Sequence, residues 1–516
     1  DWGLSNRWKV VFLGGVAVGS SFLIFARLGA TFTPEADPGQ FQVAYKAQPG
    51  ISLERSQEIA RQLIQEIRGN PYVAYTYSTI GGNGAQPINE GTIFIRLKER
   101  SVRPHFLRIK AELRERLKRF RSLRTSVENA GQGFEAKPIQ MSFRGSDLAV
   151  MDPISERLME EARQVRGAAD VDTSQEIPRP ELRVSMDRKA AGDLGLDLGT
   201  VASTVRGLVA GEVVSQFEDP DGDSYDVRLL VEPSQRAQGT DLRELDLPAR
   251  GGRALVPLSQ VAHIEPGTAP SKIRRRDLMR EIRISANTEG RSLGEVINDI
   301  KTRAATVSLS PGYRVDYTGT SEDMVESFGY VGQSLALAVV FIYAILASQF
   351  RSFLQPLAIM LSLPLSLFGV AGMLYLAKDT LNIMSLIGLI LLMGLVTKNA
   401  ILLIDFTNNQ REAGFSRREA LLVAARVRLR PILMTTLAMI FGMLPLAFEW
   451  GAGAEFRAPM ARGVIGGLIT STLLTLVVVP VVYTFLDDLG SHFVRWWKKG
   501  TPAHAPAGQQ IPTVVE

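Results

Sequence analysis

The sequence predicts an α-helical membrane bundle of six spans carrying a large α+β domain, itself made of two split βαβ, ferredoxin-like sandwiches and an inserted β-rich subdomain. Three observations predict it. Six apolar runs are each about 20 residues long, the length a helix needs to cross a hydrocarbon layer of about 30 Å. One run stands alone near the N-terminus and five cluster after residue 327, so that residues 27 to 327 form a block of mixed polarity that must fold in water. Within that block a strand-helix-strand order occurs twice, and its second copy is interrupted.

The spans fall at residues 8–26, 328–347, 354–377, 381–406, 431–449 and 463–486. Their presence is hidden by the average composition, 46% hydrophobic and 22% charged, which a soluble protein could also show. Orientation follows from Lys and Arg in the short loops. With the N-terminus inside, the inner set is Arg7, Lys9, Arg351, Arg411, Arg417, Arg418, Arg426, Arg428, Arg430, Arg495, Lys498 and Lys499, against Lys378, Arg457 and Arg462 outside. Both termini are therefore expected in the cytoplasm. The large domain lies across the membrane, in the periplasm of a cell with two membranes. The protein is a multi-pass protein of a bacterial inner membrane on this reading, with the lipid bilayer as its first partner.

The chain has no cysteine, which excludes disulfides, thiolate metal sites and a cysteine nucleophile. The net charge of +5 is the small remainder of 58 basic and 53 acidic residues. The basic residues gather at membrane edges, so nucleic acid is not an expected partner. The chain starts at Asp1 without an initiator methionine, and its first apolar run lacks a small-residue cleavage site; it reads as a piece of something longer.

Residues 1–27 hold the first span. In residues 28–137, Phe41, Val43 and Tyr45 alternate as a strand; Ile59, Leu63 and Ile67 make a helical stripe; 73–80 is extended; Ile93, Ile95 and Leu97 alternate; Phe106, Ile109, Leu113 and Leu117 step by three and four; and 125–128 closes a first sandwich. A second copy occupies 138–179 and 276–327. It opens at Ile139, has a helix for which Asp152 is the expected cap and Pro153 a first-turn residue, and resumes at Ile282 before a helix opened by the capping box Ser292-x-x-Glu295. Residues 180–275 are the insertion, with a hairpin tip expected at Asp219–Asp223. Residues 328–486 are the five-helix bundle and 487–516 a disordered cytoplasmic tail. The amphiphilic stretch Phe415–Arg426 is expected along the inner membrane surface.

The strongest chemical signal is Lys398. It lies roughly 26 Å from the outer end of its span and roughly 12 Å from the inner, at about 1.5 Å per residue. A lysine at that depth costs on the order of 3 kcal/mol and is usually paired with a carboxylate facing the bundle interior; the alternative is a side chain reaching lipid headgroups. Asp405 and Glu449 are not at matching depth. The expected partner is missing from this chain.

Lys398-Asn399-Ala-Ile-Leu-Leu-Ile-Asp405-Phe406, then Arg428-Leu-Arg-Pro-Ile-Leu-Met-Thr435-Thr436, then Gly451-Ala-Gly453-Ala-Glu455 resemble the C-terminal half of a resistance-nodulation-division efflux permease of the hydrophobe/amphiphile branch. Phe32-Thr-Pro34-Glu35-Ala-Asp37-Pro-Gly39 resembles the same family's entry into its porter domain. The resemblance covers residues 1 to about 486. It implies a proton-driven antiporter with porter subdomains and an inserted docking subdomain, acting as a homotrimer with a periplasmic adaptor and an outer-membrane channel. It also implies an N-terminal half carrying an intramembrane aspartate pair, which the lysine matching Lys398 contacts. Asn399, Thr435 and Arg428 fall on, or border, the implied proton path.

Read from the residues alone, Thr435 either serves a wet path or bonds back to its own helix. Arg428 is a gate residue or a positive-inside anchor, and Asp405 an edge residue or a relay. By the resemblance, and not from the residues alone, Phe94 in Gly91-Thr-Ile-Phe94-Ile matches a pocket phenylalanine of the family, with Tyr75 and Tyr77 as rings nearby. With Tyr77 and Ile80 it is a candidate substrate-lining residue, the alternative being sandwich core. The stretch Ser78–Glu90 lacks the aromatic residues common there in drug exporters. No phosphate-binding Gly-rich loop occurs, no cofactor is called for, and no nucleophile, base and orienter fall together, so the chain is expected to be a secondary transporter and not an enzyme. Metal export is the runner-up, although the four histidines are scattered and soft-metal ligands do not cluster. A membrane-anchored periplasmic sensor or assembly module is the remaining reading, and it has no need of Lys398.

Overall fold

The computed structural model describes residues 1–499 apart from 35, 82–86, 131–136, 177, 233–241, 250, 251, 253, 271 and 452, and side chains up to residue 489 except that of residue 179. Residues 82–86 of the stretch Ser78–Glu90, Glu35 and the end of the tail therefore lie outside the described residues. The first span is α1 (Arg7–Phe25).

The first sandwich follows as β1 (Gln40–Lys46), α2 (Leu53–Arg68), β2 (Val73–Ile80), β3 (Glu90–Leu97), α3 (Phe106–Leu117) and β4 (Arg124–Asn129). Its antiparallel sheet has the order β2-β3-β1-β4. Strand alternation puts Phe41, Val43, Tyr45, Ile93 and Ile95 on one face. Leu63 and Ile67 from α2, and Ile109 and Leu113 from α3, close over them in one buried cluster. The Ser52 hydroxyl caps α2 by accepting the Arg55 N–H.

The second sandwich begins with β5 (Ile139–Gly145), α4 (Leu148–Arg163) and β6 (Ala168–Thr173). Here the expected helix start is corrected. Asp147, not Asp152, caps α4, its carboxylate accepting the Ala149 N–H at 3.1 Å, and Pro153 lies inside the helix. The insertion comprises β7 (Arg179–Met186), α5 (Arg188–Asp193), α6 (Leu198–Ala210), β8 (Glu212–Glu218), β9 (Ser224–Leu229), β10 (Asp246–Ala249), β11 (Ala254–Pro257) and β12 (Ala262–Ala269). Strand β7 pairs antiparallel with β12, so the insertion leaves and returns side by side. The β8–β9 hairpin turns through Asp219–Asp223 and is exposed along its whole length. The sandwich then resumes with β13 (Arg274–Arg276), β14 (Met279–Thr288), α7 (Leu293–Ala304) and β15 (Arg314–Thr318). Strand β14 pairs β5 on one edge and β6 and β13 on the other, and β15 flanks β5. The Ser292–Glu295 capping box opens α7.

The remaining spans are α8 (Thr320–Phe350), α9 (Gln355–Met360) continued by α10 (Ser362–Ala377), α11 (Ile383–Glu412), α12 (Arg417–Ala447) and α13 (Ala454–Lys499). With α1 they make six helices apolar enough to cross a membrane, and together with the β-rich domain they form the fold class read from the sequence. Two local expectations are corrected. Phe415–Arg426 does not form a separate surface helix: Ser416 caps a helix that runs unbroken from Arg417 into the fifth span. Residues 487–499, expected in the tail, continue α13.

Helices α10, α11 and α13 form the buried middle of the bundle, whereas α8 and α12 are largely exposed. Small residues allow the tightest crossing: a β-carbon built at Gly369 of α10 would overlap the Gly466 carbonyl and the Thr470 hydroxyl of α13. The large domain is tied down where α1 ends. Ala30 bridges Leu381, and its carbonyl accepts the Gly294 N–H of α7 at 2.8 Å.

Candidate functional site

Asn382 opens α11 with a capping box to Ser385, and thirty helical residues follow. Their side chains divide into two stripes. Leu392, Val396, Asn399, Ala400 and Leu403 are buried against the bundle. Ile387, Leu391, Gly394, Lys398 and Asp405 face outward. The spacing of three, four and seven places that second set along one line of the helix. Lys398 stands midway along α11, exposed, with neither a hydrogen bond nor an ion pair among the described residues. Asp405 lies on the same line nearer the inner end, also exposed.

The next residue turns the other way. Asn399 is 3% exposed, and its Nδ2 donates to Thr436 Oγ1 of α12 at 3.5 Å. The Thr436 hydroxyl is 3.3 Å from that of Thr472 on α13. A single polar chain therefore crosses three helices, with Asn399 Oδ1 and Thr475 Oγ1 left without partners among the described residues of this apolar interior. Thr435, the expected relay, bonds back to the carbonyls of Pro431 and Ile432, each at 3.1 Å. Of the two adjacent threonines, Thr436 is the one that crosses between helices. Thr436 and Thr472 were not singled out from sequence; the available signal was the run Thr470-Ser-Thr472 followed by Thr475 inside an apolar span. The Arg428 guanidinium stacks over Phe406 at 4.8 Å, joining the inner ends of α11 and α12.

At the outer rim, Arg462 of α13 holds Asp379 at 2.9 Å and Glu449 at 2.7 Å. Arg100, between β3 and α3, pairs with Glu455 at the start of α13. Asp37 and Arg103 form a doubly hydrogen-bonded pair, 2.7 and 2.8 Å, with both side chains almost fully buried. Burial alone would raise the Asp37 pKa. The Arg103 guanidinium and the N–H groups of Gly39 and Phe106 outweigh it and hold the carboxyl below its usual value. This chain of charges fastens the first sandwich to the bundle.

The aromatic candidates lie in the large domain. Tyr77 and Phe94 are direct cross-strand partners, and the Tyr75 and Phe94 rings are 6.4 Å apart. All three stand on the sheet face turned away from α2 and α3, so the core alternative does not hold for them. Ile80, expected beside them, packs instead against the sandwich core.

Six spans, two sandwiches of one topology and an inserted β-rich unit coincide with one family: the AcrB/AcrD/AcrF family matches residues 1–487. The chain belongs to that family. Among AcrB/AcrD/AcrF relatives, it is similar to Multidrug resistance protein MdtC of Yersinia pestis bv. Antiqua (strain Angola), 29% identical over 506 residues that cover 96% of this chain and 49% of that protein. MdtC of Salmonella schwarzengrund (strain CVM19633) is 29% identical over 511 residues, with the same coverage of 96% and 49%. The crystal structure of a heavy metal efflux pump superposes with a TM-score of 0.84 at 25% identity, covering 93% of this chain and 51% of that one. The chain thus spans about half the length of the curated relatives it matches. As a member of that family it is a multi-pass protein of the inner membrane, with its large domain in the periplasm.

Proposed function

We propose that this chain is the C-terminal half of a permease that exports hydrophobic or amphiphilic compounds from the inner membrane or periplasm in exchange for protons. The observation that carries the reading is Lys398, a charged side chain at mid-membrane depth on the open stripe of α11, unpaired among the described residues. An ammonium so placed calls for carboxylates on a facing helix, which an N-terminal half would supply as an aspartate pair. With both carboxylates ionised the ammonium is held between them; when one takes up a proton the attraction weakens and the helices can shift. Asn399 sets the rotation of α11, while Arg428 and Thr435 border the proton path from α12. Tyr77 and Phe94 line the substrate face of the first sandwich. The assembly is a homotrimer working with a periplasmic adaptor and an outer-membrane channel.

A second reading, export of metal ions, is favoured by the heavy metal efflux pump among the structural neighbours. Both are tested in proteoliposomes. The complete two-half transporter should release protons when an amphiphilic substrate is added and stay silent with divalent or monovalent soft metal ions. This chain alone should do neither. Metal-driven proton release by the complete transporter would favour the second reading, and proton-coupled export by the chain alone would remove the need for a partner half.

A further inference from the structure

The outward face of the first sandwich's sheet carries one row of cross-strand partners: Tyr77 on β2, Phe94 on β3, Gln42 on β1 and Glu128 on β4. Exposure falls along it, from 67% at Tyr77 to 8% at Gln42 and 1% at Glu128. The row therefore runs from open solvent into a closed seam, where edge strand β4 meets edge strand β6 of the second sandwich.

The seam is built from charge. The first sandwich contributes cations: Arg114 bonds Asp170 at 2.9 Å and Glu289 at 2.9 Å, Arg124 reaches Asp172 at 3.4 Å, and Lys46 reaches Glu176 at 3.0 Å. The second contributes those carboxylates. It also supplies Asn287, whose amide donates to Asp170 at 3.0 Å and to the Val127 carbonyl at 3.4 Å, which accepts from Arg114 as well. Lys137, 1% exposed in the segment joining the sandwiches, donates to the Asp170 carbonyl.

Glu128 is an acid on the basic side. Both of its carboxylate oxygens are buried, and among the described residues neither accepts a hydrogen bond of good geometry, the Ser126 hydroxyl being its near polar neighbour. Among the described residues the charged groups facing it are Lys137 from the joining segment, Asp170 from β6 and Lys110 from α3; its cross-strand partner on β1 is the uncharged Gln42. Burial dominates its titration. Lys137 and the nearby Ser126 hydroxyl pull the other way and Asp170 adds to the rise, leaving the carboxyl pushed up to about 7. A carboxylate with so few donors is far costlier to bury charged than as a neutral carboxylic acid.

We propose that Glu128 is a proton-binding site at the seam between the two periplasmic sandwiches, so that closing the seam takes up a proton from the periplasm and opening it returns one. The site is independent of Lys398 and of any intramembrane carboxylate. The sign follows from linkage. An acid whose pKa is higher in the closed seam than in water favours closure fully only below its free value of about 4.5, and that preference declines as pH rises, reaching its floor above about 7. Across that interval the closed-to-open ratio should fall on the order of 100-fold.

The test uses the complete transporter in lipid nanodiscs, with its other half freed of cysteine. This chain contains no cysteine, so spin labels go only to Arg61→Cys on α2 and Arg157→Cys on α4, both exposed and one on each sandwich. Electron–electron distance measurements should show a longer-distance population growing from about pH 5 to about pH 8. Glu128→Gln, neutral at every pH, should hold the shorter distance throughout. A pH-independent distance in the parent, or an unchanged pH response in Glu128→Gln, would overturn the proposal. Infrared difference spectra of the parent provide a readout that does not need the variant to fold: a carbonyl-stretch band of a neutral carboxylic acid should vanish as pH rises through neutrality, and its absence would also overturn the proposal.

Discussion

Lys398 and Asn399 are consecutive on α11, yet one points out of the bundle and the other is buried within it. A helix turns about 100° per residue, so fixing the asparagine fixes where the lysine is presented. The Asn399–Thr436 contact, 3.5 Å, and the Thr436–Thr472 contact, 3.3 Å, tie that rotation to α12 and α13.

Removing the middle of this chain should be tolerated by folding and felt in transport. Hydrogen bonds between membrane helices average about 0.6 kcal/mol, so Thr436→Val, which keeps the shape, should lower stability by about that amount. The measurement is detergent-titrated unfolding of this chain, run beside the pH profile of export by the complete transporter. A displaced profile with near-normal stability is expected. An unchanged profile would mean that the chain does not orient Lys398.

Asp37 and Arg103 should behave as a buried pair. Asp37→Asn leaves the guanidinium buried without its counter-charge, a loss of about 3–5 kcal/mol. The folded carboxyl titrates below its usual value, so its stabilisation is present above the unfolded value and is lost only as pH falls through the lower folded one. Thermal unfolding of parent and variant should therefore differ by a constant gap from about pH 5 to about pH 8 and converge only in stronger acid. Convergence near neutrality would contradict the assignment.

Gly369 should be intolerant and Gly372 tolerant. A β-carbon at Gly369 meets the backbone of α13, whereas at Gly372, one turn away on the same helix, it meets nothing within 4 Å. Gly369→Ala should cost at least about 1–3 kcal/mol by overpacking, and Gly372→Ala should be neutral or mildly stabilising. Both are read from the midpoint of unfolding; equal midpoints would mean that the α10–α13 crossing is looser than described.

Much of the fold was legible because its signals are local. The alternation of Phe41, Val43 and Tyr45, the stripe Ile59–Leu63–Ile67 and the Ser292–Glu295 box each fix an element within a few residues. Helix ends were less legible where two signals competed. Asp147 and Asp152 are both good caps, and Pro153 suits a first turn, but Asp147 captures the Ala149 N–H and adds a turn ahead of the proline. Phe415–Arg426 has the charge of a surface helix, yet nothing in it breaks the helix before Pro431. The depth of Lys398 could be read from its position in an apolar run. The choice of Thr436 over Thr435 could not, because two adjacent threonines differ only in which neighbour their rotation brings near. The same holds for Glu128: a strand glutamate is ordinary until a second sandwich closes over it.

The most direct measurement is export by the complete transporter carrying Lys398→Met, taken together with its abundance in the membrane. Methionine keeps most of the stem and removes the charge, so insertion should become easier by a few kcal/mol while the facing carboxylates lose their counter-ion and stay protonated. The expected result is a variant present at normal level, assembled, and unable to export, with Lys398→Arg largely inactive because a planar fork replaces a compact ammonium. A Lys398→Met variant that is abundant and pumps at a near-normal rate would reduce Lys398 to a side chain reaching lipid headgroups and remove the basis for proton coupling.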